Sequence, residues 1–563
     1  MRREVSVVNK KVCSFPILFA LLALVVGTCA VVFPASAQAA PTSTGSITVS
    51  GTVASSYDAY QIFSANVVDG DSDAKIATDL TWASDAARDA VLPVLHSAGM
   101  PESQTTAQKA AEWLNDDSHL TSALSAQLAR SLQSSDAVSV ALNAGAAAEL
   151  PCGYWLIVAD DDAISQNEAG TAPIMALVGG SAVTVKPKAA TPKVSKHVLE
   201  DSTAAWQKAA DATVADDLYW RLSATVPAGL SAYDTYTVRF VDTMSAGLDP
   251  SKVAASMRVY VAAGADGGFD AVQTGKDGRV GTEPAKGWTD ITAQCATKVA
   301  VDGKTFTVRT GDLVAALGGA DAFTAGARVV AVYNAPLNSA CNHGIAKGNP
   351  NEVYLRYPRS PFADQSGDAG FTSTPSDDAC AYTWDLALTK RGSDGDKPLA
   401  GAVLSIADDR GRTLAADGTW DAEGKATVTT GEDGRVTVSG VDSGKLEVRE
   451  LKAPKGYTAF QGMRSVTVKA GGLDVDQVAA AKPKLTITAE SPLRADSANG
   501  STGSLEASLI NTPTGTPPSI TTGGFMPSTG DMAMYAAAAA AVAGAALIVV
   551  ALLVKRGGGS HKE

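Results

Sequence analysis

Between Val185 and Asn511 the chain is written almost wholly in short β-type runs, separated by Gly, Asp, Ser and Asn. In a strand alternate side chains share one face, so such runs bury their apolar side by laying one sheet on another. The pattern predicts β-sandwiches of immunoglobulin-like type. Helical signal within it shrinks to Gly311 to Leu317, and a stretch rich in Ser, Pro, Asp and Gly from Ser360 to Asp378 marks a boundary. A chain of 563 residues exceeds what one core serves, about 250 to 300 residues. Two sandwiches are therefore placed at 188–362 and 380–513, the second carrying turn signals at Asp394-Gly395, Asp417-Gly418 and Asp433-Gly434.

Residues 41–187 read differently. Ser46 to Val53 alternates like a strand and Tyr57 to Val67 continues with aromatic and β-branched residues. Ser84 to Ala98, Ser103 to Trp113 and Leu120 to Leu132 then carry apolar residues at three- and four-residue spacing, with Ser84 and Ser103 as candidate N-caps. Strand signals return at Tyr154 to Val158 and Ile174 to Val178. This first module is expected to be mixed α/β, and the whole chain mainly β.

The most informative residues are polar ones in phase with apolar neighbours, which the alternation aims into a core. Leu386, Leu388 and Lys390 share a phase, as do Leu446, Val448 and Glu450, and Leu505, Ala507, Leu509 and Asn511. The middle module repeats this with Val194, Lys196 and Val198, with Tyr236, Val238, Phe240 and Asp242, and with Asn351, Val353 and Leu355. Burial disfavours charge, so an inward Lys tends toward a neutral amine and an inward carboxyl toward its protonated form. A neutral amine, an amide and a carboxylic acid in one dry pocket are a nucleophile, an electrophile and a general acid. Attack of Lys390 on the Asn511 amide carbon would expel ammonia and leave an amide cross-link.

Around these residues, "LALTKRGSDGDKPLAGAVLSI", "LEVRELKAPKGY" and "SLINTP" resemble the B-type repeat of collagen-adhesin and pilin proteins. The resemblance implies an isopeptide bond between Lys390 and Asn511 assisted by Glu450, with Leu451 standing where the family often has Thr. "FVDTMSAGL" and "GNPNEVYLRYP" resemble the central isopeptide-forming domain of Gram-positive backbone pilins, which implies a Lys196–Asn351 bond assisted by Asp242. In the first module Lys75 and Lys109 lie on no clear apolar strand, and no bond is expected there.

The two ends carry addresses. Arg2, Arg3, Lys10 and Lys11 precede an apolar run from Phe15 to Phe33 and small residues at Ala35 to Ala39, which reads as a secretion signal over residues 1–40. At the other end a Pro, Thr and Gly tether, 514–530, leads to an apolar run, 531–554, long enough to span a bilayer as a helix, and then to a basic tail, 555–563. Before the run stand Met526, Pro527, Ser528, Thr529 and Gly530. The order resembles the Leu-Pro-x-Thr-Gly sorting signal of Gram-positive surface proteins, with Met for Leu. It implies that a sortase cuts after Thr529, and that the protein ends at the cell surface, joined to peptidoglycan. "VTVKPKAATPKVSKHV" resembles the pilin motif, Val-x-Val-Tyr-Pro-Lys, and implies Lys188 as the acceptor amine for a pilin-specific sortase. Lys186 stands where that motif has Tyr, and Lys186 and Lys193 remain alternative acceptors.

Other chemistry is set aside. A net charge of -13 without a basic run leaves no surface for nucleic acid. Cys152, Cys295, Cys341 and Cys380 remain after the signal, an even number in an oxidising compartment, allowing two disulfides in three connectivities. Asp69, Asp71 and Asp73 begin a calcium loop, but Ala74 replaces its Gly and Leu80 its Glu; Cys341 and His343 lack a second ligand pair. No metal, cofactor or turnover of an external substrate is expected. The resemblances together imply a backbone subunit of a covalent pilus, whose partners are sortases, further copies of itself, minor pilins and host surface ligands. The alternative is a monomeric wall-anchored adhesin for a host protein or glycan, which needs no acceptor Lys188.

Overall fold

Ser84, Thr106 and Thr121 each stand in extended backbone and accept an N–H from three residues on, starting helices Asp85–Ser97, Ala107–Leu114 and Ser122–Gln133. The second of these begins later than Ser103, because a turn closed by Gln104 N–H on Pro101 O leaves Thr106 to supply the cap. The computed structural model describes residues 43–515 apart from 72–73, 117, 171, 188–190, 276–277 and 301–302. In the first module the three helices cover one face of a sheet built on strands Ser56–Asp69 and Gly153–Ala159, through Ile62, Phe63, Leu95, Leu128 and Leu156. A small sheet, with Thr44–Val49 between Ala147–Pro151 and Val183–Val185, covers the other face.

The middle module is two stacked sheets. One holds Lys193–Glu200, Tyr219–Val226, Ala327–Asn334 and Arg258–Ala263 in that order; the other holds Asp377–Tyr382, Asn349–Pro358, Arg239–Met244 and Thr305–Arg309. Val198, Trp220, Leu222, Phe240, Tyr333, Val353 and Leu355 fill the space between. The Ser360–Asp378 boundary shifts accordingly: Phe371–Ser373 and Asp377–Tyr382 both pair with Asn349–Pro358, so the sandwich runs on to Tyr382. Alternation explains why the last of these strands escaped the hydrophobic pattern. Ala379 and Ala381 enter the middle core while Cys380 and Tyr382 enter the next one. One strand thus serves two cores with small residues.

The last module sets strand Trp384–Gly392 between Arg435–Val441 and Ser504–Pro513, facing a sheet of Val403–Ala407, Gly444–Lys452, Met463–Gly471 and Lys484–Ala489. Its first and last strands are neighbours and run parallel, with Lys390 opposite Leu509 and Gly392 opposite Asn511.

The four cysteines correct an expectation. All carry free thiols rather than two disulfides. Cys152 lies with Val67 and Ala77, Cys295 and Cys341 belong to the middle core, and Cys380 faces the last core. An even count in sequence does not bring Cβ atoms to bridging distance. The secretion signal, the Met526–Gly530 motif, the expected span, the basic tail and Lys188 lie outside the described residues. Among the described residues no helix is long and apolar enough to cross a membrane.

Candidate functional site

In the last sandwich the in-phase polar residues meet. Lys390 and Asn511 project from neighbouring parallel strands, and Glu450 comes down from the facing sheet. The Lys390 side chain is 0% exposed, as is that of Glu450. Lys390 Nζ donates to Asn511 Oδ1 and lies 3.0 Å from Glu450 Oε1. Asn511 Nδ2 donates to the same Glu450 oxygen at 2.8 Å. Glu450 Oε2 is held by the Phe460 N–H at 3.1 Å, and the Phe460 ring lies 5.8 Å from the amine. Burial pushes the Lys390 amine down to about 8 against the opposing pull of Glu450. One carboxyl therefore touches both the amine that would attack and the amide nitrogen that would leave.

The middle sandwich gathers Lys196, Asp242 and Asn351, all 0% exposed, across its two sheets. Lys196 Nζ donates to Asp242 Oδ2, and Asn351 sits beside Met244 on the strand next to that of Asp242. A fourth residue completes the cluster. The Tyr333 hydroxyl accepts from Lys196 Nζ at 2.9 Å and from Asn351 Nδ2 at 2.8 Å, and donates to Asp242 Oδ2 at 3.0 Å. The other oxygen of Asp242 and Asn351 Oδ1 have no hydrogen-bond partner among the described residues. Burial lowers the Lys196 amine to about 8, raises the Asp242 carboxyl, and raises the Tyr333 phenol well above its ordinary value. Tyr333 was missed in the sequence because "ARVVAVYN" reads as plain core. Its signal is the hydroxyl, which needs a partner when fully buried.

Both clusters are dry and contain an amine, an amide and an acid, the set needed to exchange the amide's ammonia for the lysine. The first module differs. Lys75 Nζ donates to the carbonyls of Gly179 and Ser181 at 2.5 and 2.7 Å, and Lys109 pairs with Glu112 on an exposed helix face. Cys341 Sγ lies 3.6 Å from His343 Nε2, and His343 Nδ1 is 2.8 Å from Asp385. Burial raises the Cys341 thiol to about 11. Among the described residues no group of three or more His, Cys, Asp or Glu is placed to hold a metal ion.

Comparison with known proteins adds context. The T6 backbone pilin of serotype M6 Streptococcus pyogenes superposes with a TM-score of 0.44 at 17% identity, covering 84% of this chain and 98% of that one. The full-length major pilin SpaD of Corynebacterium diphtheriae gives 0.40 at 14% identity, covering 85% and 100%. In sequence, 134 residues are 31% identical to the trypsin-resistant surface T6 protein of Streptococcus pyogenes serotype M6. That alignment takes in 22% of this chain and 23% of the relative, so the chain matches less than a quarter of the relative's length. The last sandwich carries a family identity of its own: residues 385–482, which hold Lys390 and Glu450 but stop short of Asn511, match the SpaA family of prealbumin-like fold domains.

Proposed function

We propose that this protein is the structural backbone subunit of a sortase-polymerised pilus on a Gram-positive surface, each of its two sandwiches locked by an intramolecular Lys–Asn isopeptide bond. The observation that carries this reading is the Lys390–Glu450–Asn511 cluster, in which the amine and amide of the first and last strands are in mutual contact with an acid from the facing sheet. The acid and amine share one proton. With the proton on Glu450, the neutral Lys390 amine attacks the Asn511 amide carbon, forming a C–N bond. One proton passes from the lysine nitrogen by way of Glu450 to the Asn511 nitrogen, the old C–N bond breaks, and ammonia leaves. Glu450 ends as it began. The same balance holds for Lys196 and Asn351, with Asp242 as the acid. Asn511 lies 121 residues from Lys390. A closure of that span is worth about 4 to 5 kcal/mol if it acts as a disulfide would.

Polymerisation rests on the sequence motifs. Thr529 of one subunit would be joined to the Lys188 amine of the next, with the apolar span holding the precursor in the membrane until then. The chain would be a building material, with sortases and its own copies as partners and peptidoglycan as the final anchor. Support for adhesion through minor pilins or host ligands is a secondary role of such a fibre.

The test is an immunoblot of detergent-boiled cell-wall extract from cells carrying the native protein or Lys188→Ala. A high-mass ladder that collapses to monomer in the variant is the expected result. A ladder that survives would move the acceptor to Lys186 or Lys193, and monomer in both strains would overturn the fibre in favour of an anchored adhesin. Independently, the intact mass should fall short by ~17 Da, one ammonia, for each bond.

A further inference from the structure

The two clusters differ in how the acid reaches the leaving group. Glu450 accepts directly from Asn511 Nδ2 at 2.8 Å. Asp242 instead contacts Lys196 Nζ and the Tyr333 hydroxyl, and it is Tyr333 that holds Asn351 Nδ2. Three polar atoms thus converge on one phenol oxygen, which has two lone pairs and one proton to satisfy them. Tyr333 is fixed from its own sheet by pairing with Trp220 and from the facing sheet by an edge-on contact with Phe306 at 4.8 Å. It is fully buried, so no water competes for these contacts.

We propose that Tyr333 is a catalytic residue of the middle cross-link, relaying the proton of Asp242 to the departing nitrogen of Asn351. The inference rests on the isopeptide reading above. When the Lys196 amine adds to the Asn351 amide carbon, the amide nitrogen loses its conjugation and becomes basic. The Tyr333 hydroxyl turns its proton onto that nitrogen while taking one from Asp242. Asp242 recovers a proton from the lysine nitrogen, which has become cationic on bonding. The C–N bond to the Asn351 nitrogen breaks and ammonia departs. Lysine gives up one proton, ammonia gains one, and both Tyr333 and Asp242 return to their starting forms. Removing the hydroxyl leaves the Lys196–Asp242 contact in place but takes away the phenol's contacts to Lys196, Asp242 and Asn351, and with them the link from the acid to the amide.

The experiment follows both bonds in the same full-length chain, isolated unfolded from inclusion bodies before either bond has formed and then refolded, by mass spectrometry of the cross-linked peptides against time. In Tyr333→Phe the Lys390–Asn511 bond should form as in the native protein, while the Lys196–Asn351 bond forms about 100-fold more slowly or not at all, the usual cost of losing general acid catalysis. Formation at the native rate would overturn the relay and leave Tyr333 a packing residue. Absence of the middle bond in the native chain would overturn the bond itself, and the relay with it. A second variant separates chemistry from folding: 3,5-difluorotyrosine at position 333 keeps the ring and its contacts but makes the phenol more acidic. It should change the rate and pH profile of the middle bond alone, and an unchanged profile would again sink the relay.

Discussion

In the last sandwich Lys390 and Asn511 occupy the first and last strands, side by side and parallel. In the middle sandwich Lys196 and Asn351 occupy facing sheets, and two further strands, Phe371–Ser373 and Asp377–Tyr382, follow before the chain leaves the module. Given the proposed bonds, tension enters and leaves the last sandwich through the cross-link itself, so everything between the two residues is bypassed. The middle bond bypasses the chain up to Asn351 and leaves the return segment, 352–382, in the load path. That segment is fastened by non-covalent means: Lys208 pairs with Asp377, Arg239 pairs with Asp368, and Ala209–Asp211 pairs with Cys380–Tyr382. The same chemistry therefore makes one domain inextensible and the other able to yield by a fixed length.

The largest expected effect is mechanical. Pulled from its ends, the native last sandwich should not lengthen, while the middle one should release about 30 residues, at most ~100 Å. In Asn511→Ala the last sandwich should add a step of roughly 400 Å as about 120 residues come free. Single-molecule force spectroscopy on the native chain and the variant measures both, and equal extension of the two native sandwiches would break the distinction.

Thermodynamically the two should be alike. Asn511→Ala and Asn351→Ala each remove one closure of more than ~100 residues, and this term grows only with the logarithm of loop length, so each costs about 4 to 5 kcal/mol. Neither leaves its lysine without an acid, since Glu450 and Asp242 remain in contact with it. Denaturant midpoints of the two variants would show this, and a difference beyond about 2 kcal/mol would mean that one bond does more than close a loop.

How much of this could be read beforehand follows from what strand alternation encodes. It reports which way a side chain points, so Lys196, Asp242, Asn351, Lys390, Glu450 and Asn511 were legible one by one as inward polar residues. It does not report what a buried aromatic touches, and Tyr333 passed for core. Nor does it register a strand as short and small-residued as "DDACAY", whose faces serve different cores, so the module boundary was drawn too early. Cysteine parity suggested disulfides because counting contains no distances. The helices of the first module were legible through their spacing, and the first through its Ser84 cap as well; a local turn moves the second cap from Ser103 to Thr106, and the third, Thr121, was not read as one.

A smaller effect, of about tenfold per pH unit, concerns how the bonds form. At the middle site burial lowers the Lys196 amine to about 8 and raises the Asp242 carboxyl, so the pair holds one proton until pH passes about 8. Above that pH the amine is neutral but the acid has no proton to give. The rate of ammonia loss as the un-cross-linked chain folds is therefore expected to fall at the middle site as pH rises past about 8. Faster formation of the Lys196–Asn351 bond at pH 9 would show that the amine's neutrality alone is limiting and that Asp242 serves as no acid.

The smallest effect lies at the junction, where the two sandwiches can be uncoupled and compared separately. Asp211 of the middle module accepts from Trp384 Nε1 at 2.6 Å and from Ser443 N–H at 2.9 Å in the last. Glu200, Asp201 and Asp442 crowd the same spot, with Arg410 3.7 Å from Asp201 and Arg412 holding Asp216 at 2.5 Å. Burial, then the Asp211 carboxylate, raises Glu200 to about 7, and burial raises Asp201 and Asp442 as well. A carboxyl that holds its proton more tightly folded than unfolded stabilises the junction below its unfolded value, about 4.5 for Glu, and loses that stability as pH rises through about 7. This is the reverse of an ion-paired carboxylate. Calorimetry at pH 5 should give the two sandwiches one coupled transition, and at pH 8 two transitions separated by a few degrees. Asp442→Asn, which removes one titratable carboxyl from the cluster, should narrow that separation, and a junction indifferent to pH in both proteins would show that these carboxyls do not govern how the sandwiches are joined.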